Sequence, residues 1–210
     1  MMKKNRILIA ALAISMVAIL AWGTLAYFTD SDTVTNSFMT ATSTDPNQKL
    51  FDVDLYETDV DNDNNVKENT YKDILPGQTV TKDPTVKNTG LYDQYVRVNI
   101  TVSNAAEWKA ACGAHNITDL STIFGNFNDE WERKDVKEDA TNNTLTYVYY
   151  LNRVLEPGQT SKVFETFTIP ASFTIDDMNT LKTFTLTVVA DAIQSDNNGA
   201  NAVEGFQNWE

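Results

Sequence analysis

One cysteine and one histidine are all that this chain of 210 residues holds of the two residue types behind most metal and nucleophile chemistry. With Cys112 alone, no intramolecular disulfide can form. A zinc hydrolase needs three protein ligands and an open position, and no His-Glu-x-x-His pattern occurs. Cys112-x-x-His115 has the spacing of half a zinc site, but no second Cys or His completes it. The plainer reading is a helix-end or loop His beside a small buried Cys. A Ser-His-Asp or Cys-His triad would have to use His115, and neither a Gly-x-Ser-x-Gly elbow nor a Gly-rich phosphate loop is present. Carboxylates are so abundant that no acid–base pair stands out.

Positive charge is also scarce. The chain carries 16 Lys+Arg against 29 Asp+Glu, a net of −13. Such a surface repels phosphate backbones and anionic lipid, so nucleic acid and anionic membranes are poor partners. Long apolar runs are missing except near the N-terminus. There, Lys3, Lys4 and Arg6 precede the run Ile7 to Trp22, which falls short of the roughly 20 residues of a spanning helix. Thr24-Leu25-Ala26 places small residues where a signal peptidase reads them, which predicts cleavage between Ala26 and Tyr27. Loss of those three cations leaves 13 Lys+Arg, 29 Asp+Glu and a net of −16. Small exported domains in oxidising compartments usually carry several disulfides. Export without any points to a Gram-positive bacterium and a core that stands without staples. No Leu-Pro-x-Thr-Gly signal follows, so release from the membrane is expected, with the mature chain secreted.

What remains is rich in strand signals. Phe51 to Tyr56, Tyr95 to Val102 and Thr183 to Val188 alternate polar and apolar residues, the period of a half-buried strand. Thr144 to Leu151 and Val163 to Ile169 add Tyr, Val, Thr and Phe, which suit a pleated surface. Short strands separated by turns read as a sandwich or barrel. Leu75-Pro76-Gly77-Gln78-Thr79 is echoed by Leu155-Glu156-Pro157-Gly158-Gln159-Thr160. Pro at φ near −65° and Gly at positive φ make a tight turn into a strand, so two equivalent corners are expected. Helix is confined to a short insertion within 103–140: one capped by Asn104, another over Leu120 to Phe124 stopped by Gly125. Asn142-Asn143 reads as a hairpin tip. The organisation is therefore a signal-peptide helix over 1–26, an N-terminal segment and linker over 27–48, a β-domain over 49–194 and a polar tail over 195–210.

Asp59, Asp61 and Asp63 alternate, so their carboxylates can face one hard cation, with Asn64 accepting left-handed backbone. Calcium is the cofactor this loop would take, and the fold needs none. The pattern departs from an EF-hand: Gly is missing at the sixth position and Thr70 stands at the twelfth. A solvated acidic loop is the alternative. Trp108, Trp131, Tyr147, Tyr149 and Tyr150 would suit a carbohydrate face, with core packing as the alternative. Alternation puts Tyr147 and Tyr149 on one side and Val148 and Tyr150 on the other.

Three blocks give the chain a resemblance. Ala21 to Asp30 carries a small residue followed by Tyr27-Phe28-Thr29-Asp30. Leu75-Pro76-Gly77-Gln78 is followed by Val86-Lys87-Asn88-Thr89-Gly90 and Tyr95-Val96-Arg97-Val98. Tyr149-Tyr150, Leu155 to Thr160, Phe164, Ile169-Pro170 and Ala190 to Gln194 form the third. In this order they resemble the TasA/camelysin family of Gram-positive exported proteins. The resemblance implies a jelly-roll-like β-sandwich, a SipW-type signal peptidase and homopolymeric biofilm matrix fibres, with other matrix proteins as further partners. It also implies that the segment Tyr27 to Ala41 completes a neighbouring subunit's sheet by strand addition, with Val34 and Phe38 as its buried side chains. Thr42 to Gln48 would be the linker that lets it leave its own domain. Through camelysin the family carries a metalloendopeptidase label, which is the alternative function and which the poor ligand set does little to support.

Overall fold

The computed structural model describes residues 29–32 and 49–209. The signal segment, the cleavage pair Ala26 and Tyr27, and the assembly residues Val34 and Phe38 lie outside them. Among the described residues no helix is long and apolar enough to cross a membrane.

The strands are β1 (Thr29–Asp32), β2 (Val53–Tyr56), β3 (Thr79–Thr81), β4 (Thr85–Asn88), β5 (Gln94–Ser103), β6 (Phe124–Gly125), β7 (Trp131–Asp139), β8 (Thr144–Leu151), β9 (Thr160–Lys162), β10 (Thr166–Thr168) and β11 (Leu186–Gln194). The helices are α1 (Ala105–Ala114), α2 (Ile175–Leu181) and α3 (Ala202–Trp209). A 3₁₀ turn covers Leu120–Ile123. Three antiparallel sheets result: five strands in the order β1-β11-β5-β8-β7, three in the order β3-β10-β6, and three in the order β2-β4-β9. The protein is thus mostly β, compatible with an all-β sandwich.

β5 shows why. Val96, Val98, Ile100 and Val102 alternate onto one face and are fully buried. Each contributes about 1.5–3 kcal/mol on leaving water. They share one core with Val53 and Val86 of the β2-β4-β9 sheet and with Phe124 and Phe167 of the β3-β10-β6 sheet. Tyr147 and Tyr149 join that core, whereas Tyr150 packs on the other side with Phe206. The aromatics are therefore packing residues, with Phe127 stacked on Tyr149 at 4.4 Å and Trp108 wholly buried.

Both repeated turns form. Gly77 and Gly158 each sit at φ +80, and the N–H of Gln78 and of Gln159 each closes a turn on Leu75 O and Glu156 O at 3.0 Å. The turns lead into β3 and β9.

Several expectations shift. The strand expected at Thr183 to Val188 starts only at Leu186 and runs to Gln194, and the one expected over Val163 to Ile169 shrinks to β10. Gly125 stops no helix. It belongs to β6 opposite Thr166, where a Cβ would lie 2.3 Å from Thr166 Oγ1. Asn104 does precede α1, but in left-handed backbone and without a side-chain cap. Its Nδ2 instead donates to Leu181 O at 2.7 Å. The stretch 103–140 is more than a helical insertion, because it contains β7, an edge strand of the main sheet. The tail is not merely polar: α3 packs Ala202 and Phe206 onto Tyr95 and Ile193. Thr29–Asp32 belongs to the segment expected to leave its own domain, yet it pairs antiparallel with β11 of the same chain.

Candidate functional site: a sheet edge and an acidic loop

The edge is built from backbone. β1 pairs Thr29 with Ile193, Asp30 with Ala192, Ser31 with Asp191 and Asp32 with Ala190. β11 pairs along its whole length with β5, from Leu186 opposite Val102 to Gln194 opposite Gln94. On its other side Ala190–Ile193 is covered by β1. No strand among the described residues pairs there with Leu186 to Val189. Unpaired N–H and C=O groups in such a row invite another strand.

The ground beneath this edge is firm. Arg97 donates to Asp191 Oδ2 through Nε at 3.2 Å and Nη2 at 3.1 Å, and Asn99 Nδ2 adds a third bond at 3.0 Å. The guanidinium lies 4.5 Å from the centre of the Phe206 ring and 5.4 Å from that of Trp209. The C-terminal helix thereby covers the ion pair that ties β11 to β5. No sequence pattern announced this, because Val203, Phe206 and Trp209 stand scattered in a polar stretch.

The acidic loop brings Asp59, Asp61 and Asp63 together, with one ligand oxygen of each within 4.8 Å of the others. Asn62 and Asn64 adopt φ 60 and 66, and the Asp59 carboxylate accepts their N–H groups at 2.7 and 2.9 Å. Asp61 Oδ2 accepts the Thr70 N–H at 2.7 Å, which is the main reason its carboxyl lies below the usual carboxylate range. Its Oδ1 has no hydrogen-bond partner. The loop has the donor type for a hard cation, but all three of its carboxylates already serve as acceptors for backbone, Asp63 Oδ1 from the Asn65 N–H at 2.8 Å.

The remaining candidates separate. Cys112 is buried in the core, where burial raises its thiol pKa. His115 Nε2 lies 2.9 Å from Asp177 Oδ2 and joins the end of α1 to the start of α2. Asp177 is held down to about 2 by the Thr174 hydroxyl and N–H, with His115 adding to this. His115 is thus engaged with α2 and is not grouped with the Asp59–Asp63 carboxylates. No family model, curated protein or solved structure matches this chain.

Proposed function

We propose that this chain is an exported structural subunit of an extracellular matrix fibre of the TasA/camelysin kind, with a jelly-roll-like sandwich as its body. Cleavage by a SipW-type peptidase after Ala26 frees Tyr27 as the N-terminus. The observation that carries the reading is that Thr29–Asp32, within the N-terminal segment, pairs as a strand on the outer side of β11. In a single chain that pairing is made in cis. In a fibre, the N-terminal segment of one subunit extends along β11 of the next, and Val34 and Phe38 are buried there. The backbone bonds lost in cis are remade in trans, so the exchange is governed by concentration and linker entropy. Head-to-tail addition is heterologous and therefore propagates rather than closes.

Electron microscopy of the secreted mature protein tests this. The parent should form filaments, and Val34→Asp with Phe38→Asp should give a folded monomer without them. A double variant that polymerises like the parent removes the segment from the mechanism. Chelator-sensitive cleavage of casein by the purified monomer would favour the metallopeptidase alternative.

A further inference from the structure

Three side chains from separate stretches converge where the long loop between β2 and β3 returns to the sheet. Lys82 Nζ donates to Glu57 Oε1 at 2.5 Å. Asn69 Nδ2 approaches Glu57 Oε2 at 3.4 Å, so one carboxylate bridges an amine and an amide. The Lys82 and Glu57 side chains are only 11% and 9% exposed, which keeps most water away from the pair. The amide is also fixed in orientation: Asn69 Oδ1 accepts the Val60 N–H at 2.8 Å, and Nδ2 donates to Thr58 O at 3.0 Å. Tyr71, whose phenol bonds Thr81 O at 2.6 Å, is raised in pKa by burial and then by the nearby charge of Glu57.

We propose that Lys82 and Asn69 become joined by an intramolecular amide bond, with Glu57 shuttling the protons. The parts match the needs of the step. Transfer of a proton from the Lys82 ammonium to Glu57 yields a neutral amine and a carboxylic acid. The amine lone pair attacks Asn69 Cγ, and the carbonyl electrons move to Oδ1, where the Val60 N–H receives the developing charge. Glu57 returns its proton to Nδ2 and takes one from Nζ, so the C–Nδ2 bond breaks with ammonia leaving. The second proton that Glu57 took from Nζ then passes to ammonia, and the third stays on Nζ as the N–H of the new amide. One ammonium ion is released, Glu57 ends as it began, and no oxidant or co-reactant enters. Holding amine and amide on one carboxylate supplies the proximity that makes an otherwise slow amide exchange feasible. An open depression of about 310 Å³ is lined by Val60, Thr70 and Thr81 among others, the first of which bonds Asn69 and the other two of which neighbour Asn69 and Lys82 in sequence. The product staples the far part of the β2–β3 loop, at Asn69, to Lys82 just past β3 in a chain whose single cysteine allows no internal disulfide.

Mass spectrometry of the folded, full mature chain decides it. The parent should be lighter by one ammonia, and trypsin should release residues 68–72 joined to 73–87, because a linked Lys82 is not cleaved. Glu57→Gln keeps both joining residues but loses the shuttle, and it should retain the full mass with the two peptides separate. Lys82→Arg keeps a cation beside Glu57 and should also retain the full mass. It serves as the control if Glu57→Gln fails to fold by circular dichroism. A parent of full mass with Lys82 open to trypsin overturns the proposal. So does ammonia loss that persists in Lys82→Arg, which would place it in a cyclic imide at Asn69.

Discussion

β7 and β11 flank the same five-stranded sheet from opposite sides, and their chemistry differs at almost every position. From Glu132 to Asp139 every residue of β7 is exposed, and all but Val136 are charged. The register slips between Arg133 and Asp135, the mark of a bulge that twists an edge away from partners. Its charges are already engaged: Arg133 with Asp119 at 2.8 Å, Lys134 with Glu132, and Lys109 with Glu138. A strand added here would have to desolvate several of them. β11 offers Thr187, Val188 and Val189 instead, with no charge among them, and its outer neighbour is β1. One edge is guarded by charge, and the other is covered by a strand of the N-terminal segment. Under the proposed function, growth would use the β11 side and not the β7 side.

The comparison breaks most completely if the covering strand is removed. Deleting residues 27–41 should abolish filaments and also lower the melting temperature of the monomer, since each β1 ladder bond contributes about 0.5–1.5 kcal/mol net. Microscopy and a thermal melt by circular dichroism read the two effects. Filaments that persist would show that growth uses another surface. A monomer whose melting temperature is unchanged would show that β1 adds nothing in cis.

A smaller change sharpens the contrast by making β11 resemble β7. Thr187→Lys with Val189→Lys puts charge along the Leu186–Val189 half of β11. Val189 belongs to neither hydrophobic cluster, so stability should move by no more than ~1 kcal/mol, while filament yield falls at least tenfold. Equal yield from the double variant would exclude this half of β11 as the acceptor. The reverse change tests the guard. Glu132→Thr, Lys134→Thr and Lys137→Thr together should leave the far-ultraviolet spectrum intact and produce concentration-dependent light scattering through lateral pairing. Clear solutions at all concentrations would mean that the β7 charges protect nothing.

The same two edges mark where the sequence was legible. β5 could be read because its apolar residues alternate, β8 because its Tyr, Val and Thr suit a pleated surface, and the two Pro-Gly corners because φ +80 selects glycine. β7 could not, since a strand exposed on both sides carries no alternation and looks like a solvated loop. α3 hid for a related reason: two aromatic residues suffice to dock it over Arg97, too few to raise its polar stretch above background. The three carboxylates of the acidic loop were visible as neighbours in sequence. Glu57, Asn69 and Lys82 were not, because loop folding alone brings them together. The cis pairing of β1 with β11 depends on a contact across most of the chain, which local pattern does not encode.

The smallest expected effect lies on neither edge and separates the stability of the α1–α2 contact from the choice of growth surface. Asp177 closes the capping box of α2, accepting the Thr174 N–H and hydroxyl at 2.7 Å each, and holds His115 at the end of α1. Its carboxyl is lowered from 3.8 to about 2. A group with a depressed folded pKa binds fewer protons folded than unfolded, so its contribution is fully present above the unfolded value and is lost as pH falls through the folded one. The window is therefore between roughly pH 4 and pH 2. Asp177→Asn should melt below the parent at pH 6, and the two curves should converge as pH approaches 2. At neutral pH the variant should still form filaments in parental yield, because neither β7 nor β11 is touched. Parallel melting curves down to pH 2 would mean that the cap contributes nothing to stability through its charge, and lost filaments at neutral pH would mean that the helical side takes part in growth.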